Sequence, residues 1–461
     1  MQFYSIKGKY TMQGPKSGSV LVGVVWIQVI LTVVVVGVLH STRIDLNISK
    51  HQTDKVKAYY LALAGSEKAK AKIYQSRKQR MQEGINHKDD LYKDVTEFKE
   101  SDFGGGMIRI GYEDPDLNNQ FVYGVIDLER YLNINTASID ELKMLPGFDE
   151  PLGPLLVDYR DRDSEVSEGG FENTEEVIED TGYMPKNKEL ESLAEVLLIP
   201  GANPILLHGE DSNFSNSLEP NEDDGQLGAP LDDQNNILSR GWAQYVTPFS
   251  GVEQVDARGN DRVNVKEAGK SEFSQVAGIS EDLAKTIVDF RKQNEFNSVL
   301  DLLKVRQVSK SNSKKRNRGR RDDDEDKPQG PRLISQELLI ESADRLSAGS
   351  KEGERKGSVN INTADSIVLS CLPGVTPEIA DAIIRERTST GYFNNITELL
   401  RIPGLGQKIF RKIEQKICVR SETFKIISHA IIPSSEVSHK LETIVKIDSG
   451  EMTTVSFRNL N

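Results

Sequence analysis

The chain has 461 residues, of which 37% are hydrophobic and 28% charged, with a mean hydropathy of -0.46. That excludes a polytopic membrane protein and leaves room for about three domains of ~150 residues each. A balance of 58 Lys+Arg against 71 Asp+Glu, net -13, excludes a wholly basic nucleic-acid binder, and two cysteines with six histidines support neither a disulfide scaffold nor a zinc motif.

Residues 20–39 (VLVGVVWIQVILTVVVVGVL) carry no charge. As a helix they span about 30 Å, the hydrocarbon thickness of a bilayer. Lys7, Lys9 and Lys16 precede the run and Arg43 is the first charge after it. This asymmetry predicts a cytoplasmic N-terminus and an acidic body outside the cytoplasm. The run is longer than a signal-peptide apolar region, and no small-x-small cleavage site follows. Residues 43–81 contain no Pro and keep an apolar stripe through Val56, Tyr59, Tyr60, Leu63, Ala64 and Ala71. The two segments together predict one helix of about 60 residues.

Residues 107–112 and 121–127 read as a hairpin around the Asp/Pro/Asn-rich residues 114–119. Three strands are expected near the far end, at 424–432, 443–447 and 453–457.

Between them lies a threefold repeat. Its units open on Leu132-Asn133-Ile134-Asn135-Thr136-Ala137, Val263-Asn264-Val265-Lys266-Glu267-Ala268 and Val359-Asn360-Ile361-Asn362-Thr363-Ala364. A Gly follows 14 residues after the first Asn (Gly147, Gly278, Gly374), and an Arg 13 residues after that Gly (Arg160, Arg291, Arg387). A Phe comes next (Phe171, Phe296, Phe393), leading into EEVI, LDLL and TELL. Such register predicts a real repeat. Each unit reads as two short helices around a Gly turn, with the Asn-Thr pair capping a helix start. This resembles the helix-hairpin-helix motif, and a further hairpin follows at Ile402-Pro403-Gly404-Leu405-Gly406-Gln407-Lys408.

Hairpins of this kind grip phosphate when two glycines let the backbone approach closely. Gly147-Phe148-Asp149, Gly278-Ile279-Ser280 and Gly374-Val375-Thr376 lack the second Gly. Only Gly404 and Gly406 meet the need, with Lys408 beside them and Arg401, Arg411, Lys412, Lys416 and Arg420 against the single acid Glu414. These residues define the nucleic-acid alternative.

Residues 210–236 are rich in Asp, Glu, Asn, Gly and Ser, which predicts a disordered linker. Residues 309–331 set the seven basic residues from Lys310 to Arg321 against the five acids 322–326 and read as a second, solvated linker. Cys371 and Cys418 read as small core residues, with a disulfide between them as the alternative. There is no phosphate-binding loop and no nucleophile elbow, so the expectation is a non-enzymatic protein.

Pro15-Lys16-Ser17-Gly18-Ser19-Val20-Leu21-Val22 resembles the processing site of type IV pilin-like proteins. The phrase at residues 132–137, placed after a strand inside an inserted helical region, is similar to the minor pseudopilin K family of type II secretion (general secretion pathway protein K). This resemblance implies cleavage after Gly18 by a prepilin peptidase and a methylated Ser19 as the new N-terminus. Most pilin-like subunits carry Glu at the fifth mature position; here Gly23 stands there, as suits a tip subunit with no amine above it to pair.

The implied fold class is α+β: a transmembrane and spine helix, a pilin-like antiparallel sheet and a large helical insertion of helix-hairpin-helix-like repeats. The expected divisions are a leader 1–18, helix 19–82, first strands 83–131, repeat one 132–208, acidic linker 209–238 and repeat two 239–308. A charged linker 309–331, repeat three with the extra hairpin 332–420 and closing strands 421–461 follow.

The implied role is to cap and initiate the pseudopilus tip during protein export. The body would be periplasmic, on a single-pass inner-membrane anchor. The implied partners are membrane lipid, other minor pseudopilins, the major pseudopilin, the peptidase, and the secreted cargo or the outer-membrane channel. DNA is not an expected partner under this reading. Calcium is implied through loop carboxylates, with Glu222-Asp223-Asp224 and Asp232-Asp233 available and no ligand assigned. Two features depart from the family: a third Asn-rich unit, and a leader of 18 residues that is long. The alternatives are a membrane-anchored helix-hairpin-helix DNA receptor of the competence type, or a minor pilin of a type IV pilus.

Overall fold

The uncharged run and the polar segment after it form one helix, α1 (Gly18–Glu83), of 66 residues. The computed structural model of the chain describes residue 8 and residues 18–86, 95–114, 120–171, 185–215, 218–225, 227, 234–306, 331–349, 354–448 and 450–460. At 1.5 Å per residue α1 is about 100 Å long. Thr32, Thr42 and Thr53 bond back to the carbonyls of Gln28, Val38 and Ser49, so their hydroxyls are satisfied within the helix. Residues 20–53 are exposed throughout. The second half of α1 packs on a sheet.

That sheet has strands β1 (Ser101–Phe103), β2 (Gly106–Asp114), β3 (Gln120–Tyr123) and β4 (Ile126–Asp127) from before the helical region. Strands β5 (Thr423–Ile432), β6 (Val437–Asp448) and β7 (Glu451–Asn459) come from after it. The order is β1-β2-β5-β6-β7, with β3 on β2 and β4 on β5, all antiparallel. The two ends of the insertion are therefore joined by hydrogen bonds, Phe424 opposite Asp127. The expected strand 121–127 is split at Gly124, whose φ of 149° lets β3 stay with β2 while β4 turns to β5.

Strand alternation puts one face against α1. Ala58, Leu61 and Ala62 meet Ile108, Ala430, Ile432 and Leu441, while Ala69 and Ile73 meet Ile110, Phe424, Ile426, Val445 and Ile447. Gly65 lets the helix come down on β5. A Cβ there would lie 2.7 Å from Ile108 Cγ2 and nearer still to Ser428 Oγ.

The helical insertion has three units around one continuous hydrophobic core, with Leu142, Leu156, Phe273, Ile287, Leu369, Ile383 and Phe410 among its buried members. Each unit opens on a two-residue strand (Leu132–Asn133, Val263–Asn264, Val359–Asn360) that pairs in parallel with one at its end (Val246–Thr247, Leu346–Ser347, Ile417–Cys418). Residues 209–238 and 309–331 thus fall between a unit's opening and closing strands.

The described part of 210–236 is not the disordered linker its composition predicts. Asp211 is 3% exposed and Glu222 fully buried. Arg458 of β7 donates to the carbonyls of Asn213 and Phe214 at 3.2 and 3.0 Å, and Lys440 of β6 to that of Ser215 at 3.4 Å. Basic residues of the sheet hold this acidic loop down.

We expect Gly65→Val to destabilise the protein by about 1–3 kcal/mol, as overpacking does, lowering the thermal midpoint of the sheet-bearing body. Gly37→Val, with open space around it, should leave that midpoint unchanged.

Candidate functional site: a bilayer-length helix under a helix-hairpin-helix crown

The free half of α1 carries the first candidate surface. One 18-residue window has a mean hydropathy of 2.7 and none of it is buried; Val20 is 67% exposed and Leu39 59%. By length and composition this stretch is compatible with a single-pass membrane anchor. Gly18 and Ser19 are the first two residues of the helix. No acid lies in its first turn, and open space surrounds Gly23. Lys7, Lys9 and Lys16 lie outside the described residues.

At the other end α1 meets the helical units. Arg77 pairs with Glu253 at 3.0 Å, and Arg80 lies 3.9 Å from Glu422. Asn86 donates to the Asn394 carbonyl at 2.6 Å and to Asp344 at 3.4 Å. Arg420, 4% exposed at the side chain, sits between Glu422 and Asp344. Buried charges are tolerated only when so paired.

Glu129 completes the joint. Its carboxylate accepts the N–H of Gly251 at 3.1 Å and of Thr423 at 3.1 Å, and its carbonyl accepts that of Asn360 at 2.7 Å. One buried side chain so ties the start of the insertion to the region between the first two units and to the exit into β5. Burial, with Asp127 adding to it, holds this carboxyl well above the usual range. The units form a crown on the end of α1 far from the apolar run.

Within each unit the repeated residues have definite work. The Asn-Thr pairs, Asn135-Thr136 and Asn362-Thr363, do not cap a helix; the two Asn side chains bond to Leu190 and Phe393. The Oδ1 of the first Asn accepts the N–H two residues on, at 2.8 Å for Asn133, 2.9 Å for Asn264 and 3.0 Å for Asn360, which is an Asx turn. The caps are Ser138, Gly269 and Asp365. The repeated Arg returns to this turn. Arg291 donates to the carbonyls of Val265 and Glu267 at 3.0 and 3.3 Å, Arg387 to that of Ile361 at 2.9 Å, and Arg160 to those of Ile134 and Ala137. The sequence pattern marks this Arg without giving its task.

The third repeated feature needs correction in the first unit. Asn362 accepts from the Phe393 N–H at 2.7 Å and donates to the Phe393 carbonyl at 3.0 Å. Asn135 makes the same pair of bonds with Leu190, at 2.7 and 2.9 Å. Leu190, not Phe171, is thus the counterpart of Phe393. Phe171 instead donates its N–H to Asp158 at 2.6 Å. The counterpart of TELL is the 3-10 helix Leu193–Leu198; EEVI lies outside the described residues. Extra chain after Arg160 displaced the signal.

This register exposes a hairpin that the sequence reading passes over. Five glycines sit at hairpin tips with positive φ: Gly147 at 74°, Gly201 at 84°, Gly278 at 81°, Gly374 at 84° and Gly404 at 88°. In each turn the residue after Gly donates back across it, as from Leu405 to Ile402 at 3.2 Å. In the second unit the second hairpin is interrupted. Arg306 bridges Arg332, and residues 307–330 are inserted between them.

Of the basic residues near Gly404 and Gly406, three are engaged within the protein. Arg411 pairs with Asp301 at 2.8 Å, Lys416 with Glu141 at 2.8 Å, and Arg420 is buried in the joint. Arg401, Lys408 and Lys412 are exposed beside the exposed Gly404 and Gly406. The Leu405 and Gly406 N–H groups are turned into the hairpin.

Cys371 and Cys418 are buried and free; their thiols face the carbonyls of Ile367 and Ser358. Burial pushes the Cys371 thiol up to about 12. Among the described residues no group of three or more His, Cys, Asp or Glu side chains could hold a metal ion. The calcium expectation therefore gains no ligands, and Asp232 and Asp233 lie outside the described residues.

The helix-hairpin-helix motif family matches residues 259–316 and 354–418, within the second and third units. ComE operon protein 1 of Bacillus subtilis is 39% identical over 69 residues, 15% of this chain and 34% of that protein. Endonuclease/exonuclease/phosphatase family domain-containing protein 1 is 28% identical over 188 residues in Danio rerio, 41% of this chain, and 29% over 182 in Homo sapiens, 39% of this chain. The chain spans 26% of each of those two proteins. Among solved structures, a chain of the GspK-GspI-GspJ complex from the enterotoxigenic Escherichia coli Type 2 Secretion System aligns with 90% of this chain and 99% of its own. The TM-score is 0.44 and the identity 11%.

Two outcomes test this geometry. Arg387→Met should cost about 1–3 kcal/mol by leaving a carbonyl without its donor, with Arg387→Lys intermediate, in thermal unfolding. The Glu222 carboxyl is raised to about 7, first by burial and then by Asp211. A raised folded pKa gives stability that is full below the ordinary carboxyl range and lost as pH climbs through about 7. Amide exchange across residues 209–225 should therefore quicken between about pH 6 and 8 beyond its intrinsic rate, and Glu222→Gln should remove that step.

Proposed function

We propose that the chain is a minor pseudopilin of a type II protein secretion system, seated at the pseudopilus tip. The observation that carries this reading is the division of α1: a bilayer-length apolar half that is exposed among the described residues, a half laid on an antiparallel sheet, and a crown fixed to its far end. In this role the Gly18–Ser19 bond is cut by a prepilin peptidase and the Ser19 amine is methylated. The apolar half then passes from inner-membrane lipid to the helices of the major and other minor pseudopilins. Both surroundings are apolar, so the exchange loses little hydrophobic energy and is decided by packing. Gly23 leaves no buried carboxylate in need of a subunit above. The crown, wider than the helix it sits on, blocks addition above it and faces the secreted cargo or the outer-membrane channel from the periplasm. The work is binding rather than bond making. A minor pilin of a type IV pilus would use the same anchor.

A second reading is favoured by a specific observation. The exposed Gly404–Gly406 hairpin, framed by Arg401, Lys408 and Lys412, lies in the region matched by the helix-hairpin-helix family. In this reading the protein is a membrane-anchored receptor for DNA.

The mature N-terminus separates the two. Mass spectrometry of protein purified from native membranes should find Ser19 first, with a methylated amine, and Gly18→Leu should abolish that species. A chain still beginning at Met1 would refute the pilin-like pathway. Duplex binding that falls linearly on a log-salt scale and is lost in Lys408→Glu would establish the receptor.

A further inference from the structure

We propose that the second hairpin of the first unit is a docking site for a partner protein segment that carries aliphatic side chains in a frame of Lys and Arg. The hairpin runs from Ser192 to His208 and aligns without a gap on residues 395–411 of the third unit. Both begin with a capped 3-10 helix, turn through Pro-Gly, and start a new helix after a cap, Asn203 in one and Gly406 in the other. The positions of Arg401 and Lys408 are held by Leu198 and Ile205.

The internal copy shows what those positions normally do. In the third unit Leu400 and Ile409 pack against the common core. Their counterparts Leu197 and Leu206 are each 37% exposed, and Leu198 and Ile205 are 64% and 63% exposed. The hairpins of the third unit also cover each other. Ile409 lies 3.7 Å from where a Cβ on Gly374 would be, and Ile379 lies 3.4 Å from the Cβ position of Gly404. In the first unit nothing lies within 4 Å of the Cβ position of either Gly147 or Gly201. An aliphatic contact half-buried in the third unit is thus more open in the first, among the described residues.

Charge selects the occupant. The described residues 132–171 and 185–208 hold 12 Asp+Glu and 5 Lys+Arg, whereas residues 354–420 hold 7 and 10. An aliphatic surface in so acidic a frame repels phosphate, whether of nucleic acid or of anionic lipid. It attracts an apolar surface rimmed by Lys and Arg. The site stands whether or not α1 is processed.

The test uses the full-length chain held in nanodiscs by α1. The probes are two labelled amphipathic helical peptides, one of Leu and Lys and one of Leu and Glu, read by fluorescence anisotropy. The Leu/Lys peptide should bind, more weakly at higher salt, and about tenfold more weakly to Leu198→Ser/Ile205→Ser. The Leu/Glu peptide should not bind. Both replaced side chains are exposed, so circular dichroism and the thermal midpoint should be unchanged. Equal binding by wild type and the double variant, or equal binding of both peptides, would overturn the proposal. So would binding to zwitterionic vesicles that the double variant abolishes, which would make lipid the occupant.

Discussion

Among the described residues nothing packs against the first half of α1, and the remaining architecture answers to that. A buried Val, Leu or Ile side chain is worth about 1.5–3 kcal/mol over an exposed one. Residues 20–39 left in water would therefore outweigh the net stability of an ordinary domain. The apolar half needs lipid or other helices. The body is then held by the second half and the residues just past it: the sheet along residues 58–73, the ion pairs of Arg77 and Arg80, and, beyond the helix end, the hydrogen bonds of Asn86. A crown fixed at so many points cannot swing freely on the helix.

The closure of the sheet is the second condition. The long insertion leaves from β4 and returns in β5, which lie side by side. Its ends are thus fixed by backbone hydrogen bonds and by the Glu129 carboxylate. Closing so long a loop is entropically unfavourable, but the loop has its own core and its ends meet at this seam. The same logic recurs inside it on a smaller scale. Each unit closes on a two-residue parallel pair, and one Arg reaches back to satisfy carbonyls at the opening turn.

Much of this was legible in the sequence wherever the signal is local or strictly spaced. The helix followed from an unbroken Pro-free run, and the units from the Asn, Gly and Arg positions. What failed were partners distant in sequence. Leu190 stands where Phe393 stands in the third unit because extra residues after Arg160 shift the register, and only the side-chain bonds of Asn135 reveal it. The acidic loop reads as disordered because Arg458 and Lys440, which hold it, lie more than two hundred residues away. Of the candidate residues, Gly18 and Ser19 open α1, and Gly404, Gly406 and Lys408 share one exposed hairpin. Which of the surrounding basic residues are engaged elsewhere was not readable from spacing.

That last point bears on how a motif becomes a function. A helix-hairpin-helix grips phosphate through free amides and free cations, yet the same turn is also a compact way to join two helices. Here the three units share the turn and differ in what they place around it: aliphatic side chains in an acidic frame, an interruption by charged chain, and a basic hairpin with half of its cations in internal pairs. A chain that bound one uniform polyanion would gain by keeping all its hairpins alike, since each added phosphate contact strengthens the same interaction. Divergence to opposite charge on a shared scaffold instead suits chemically unlike neighbours around one crown.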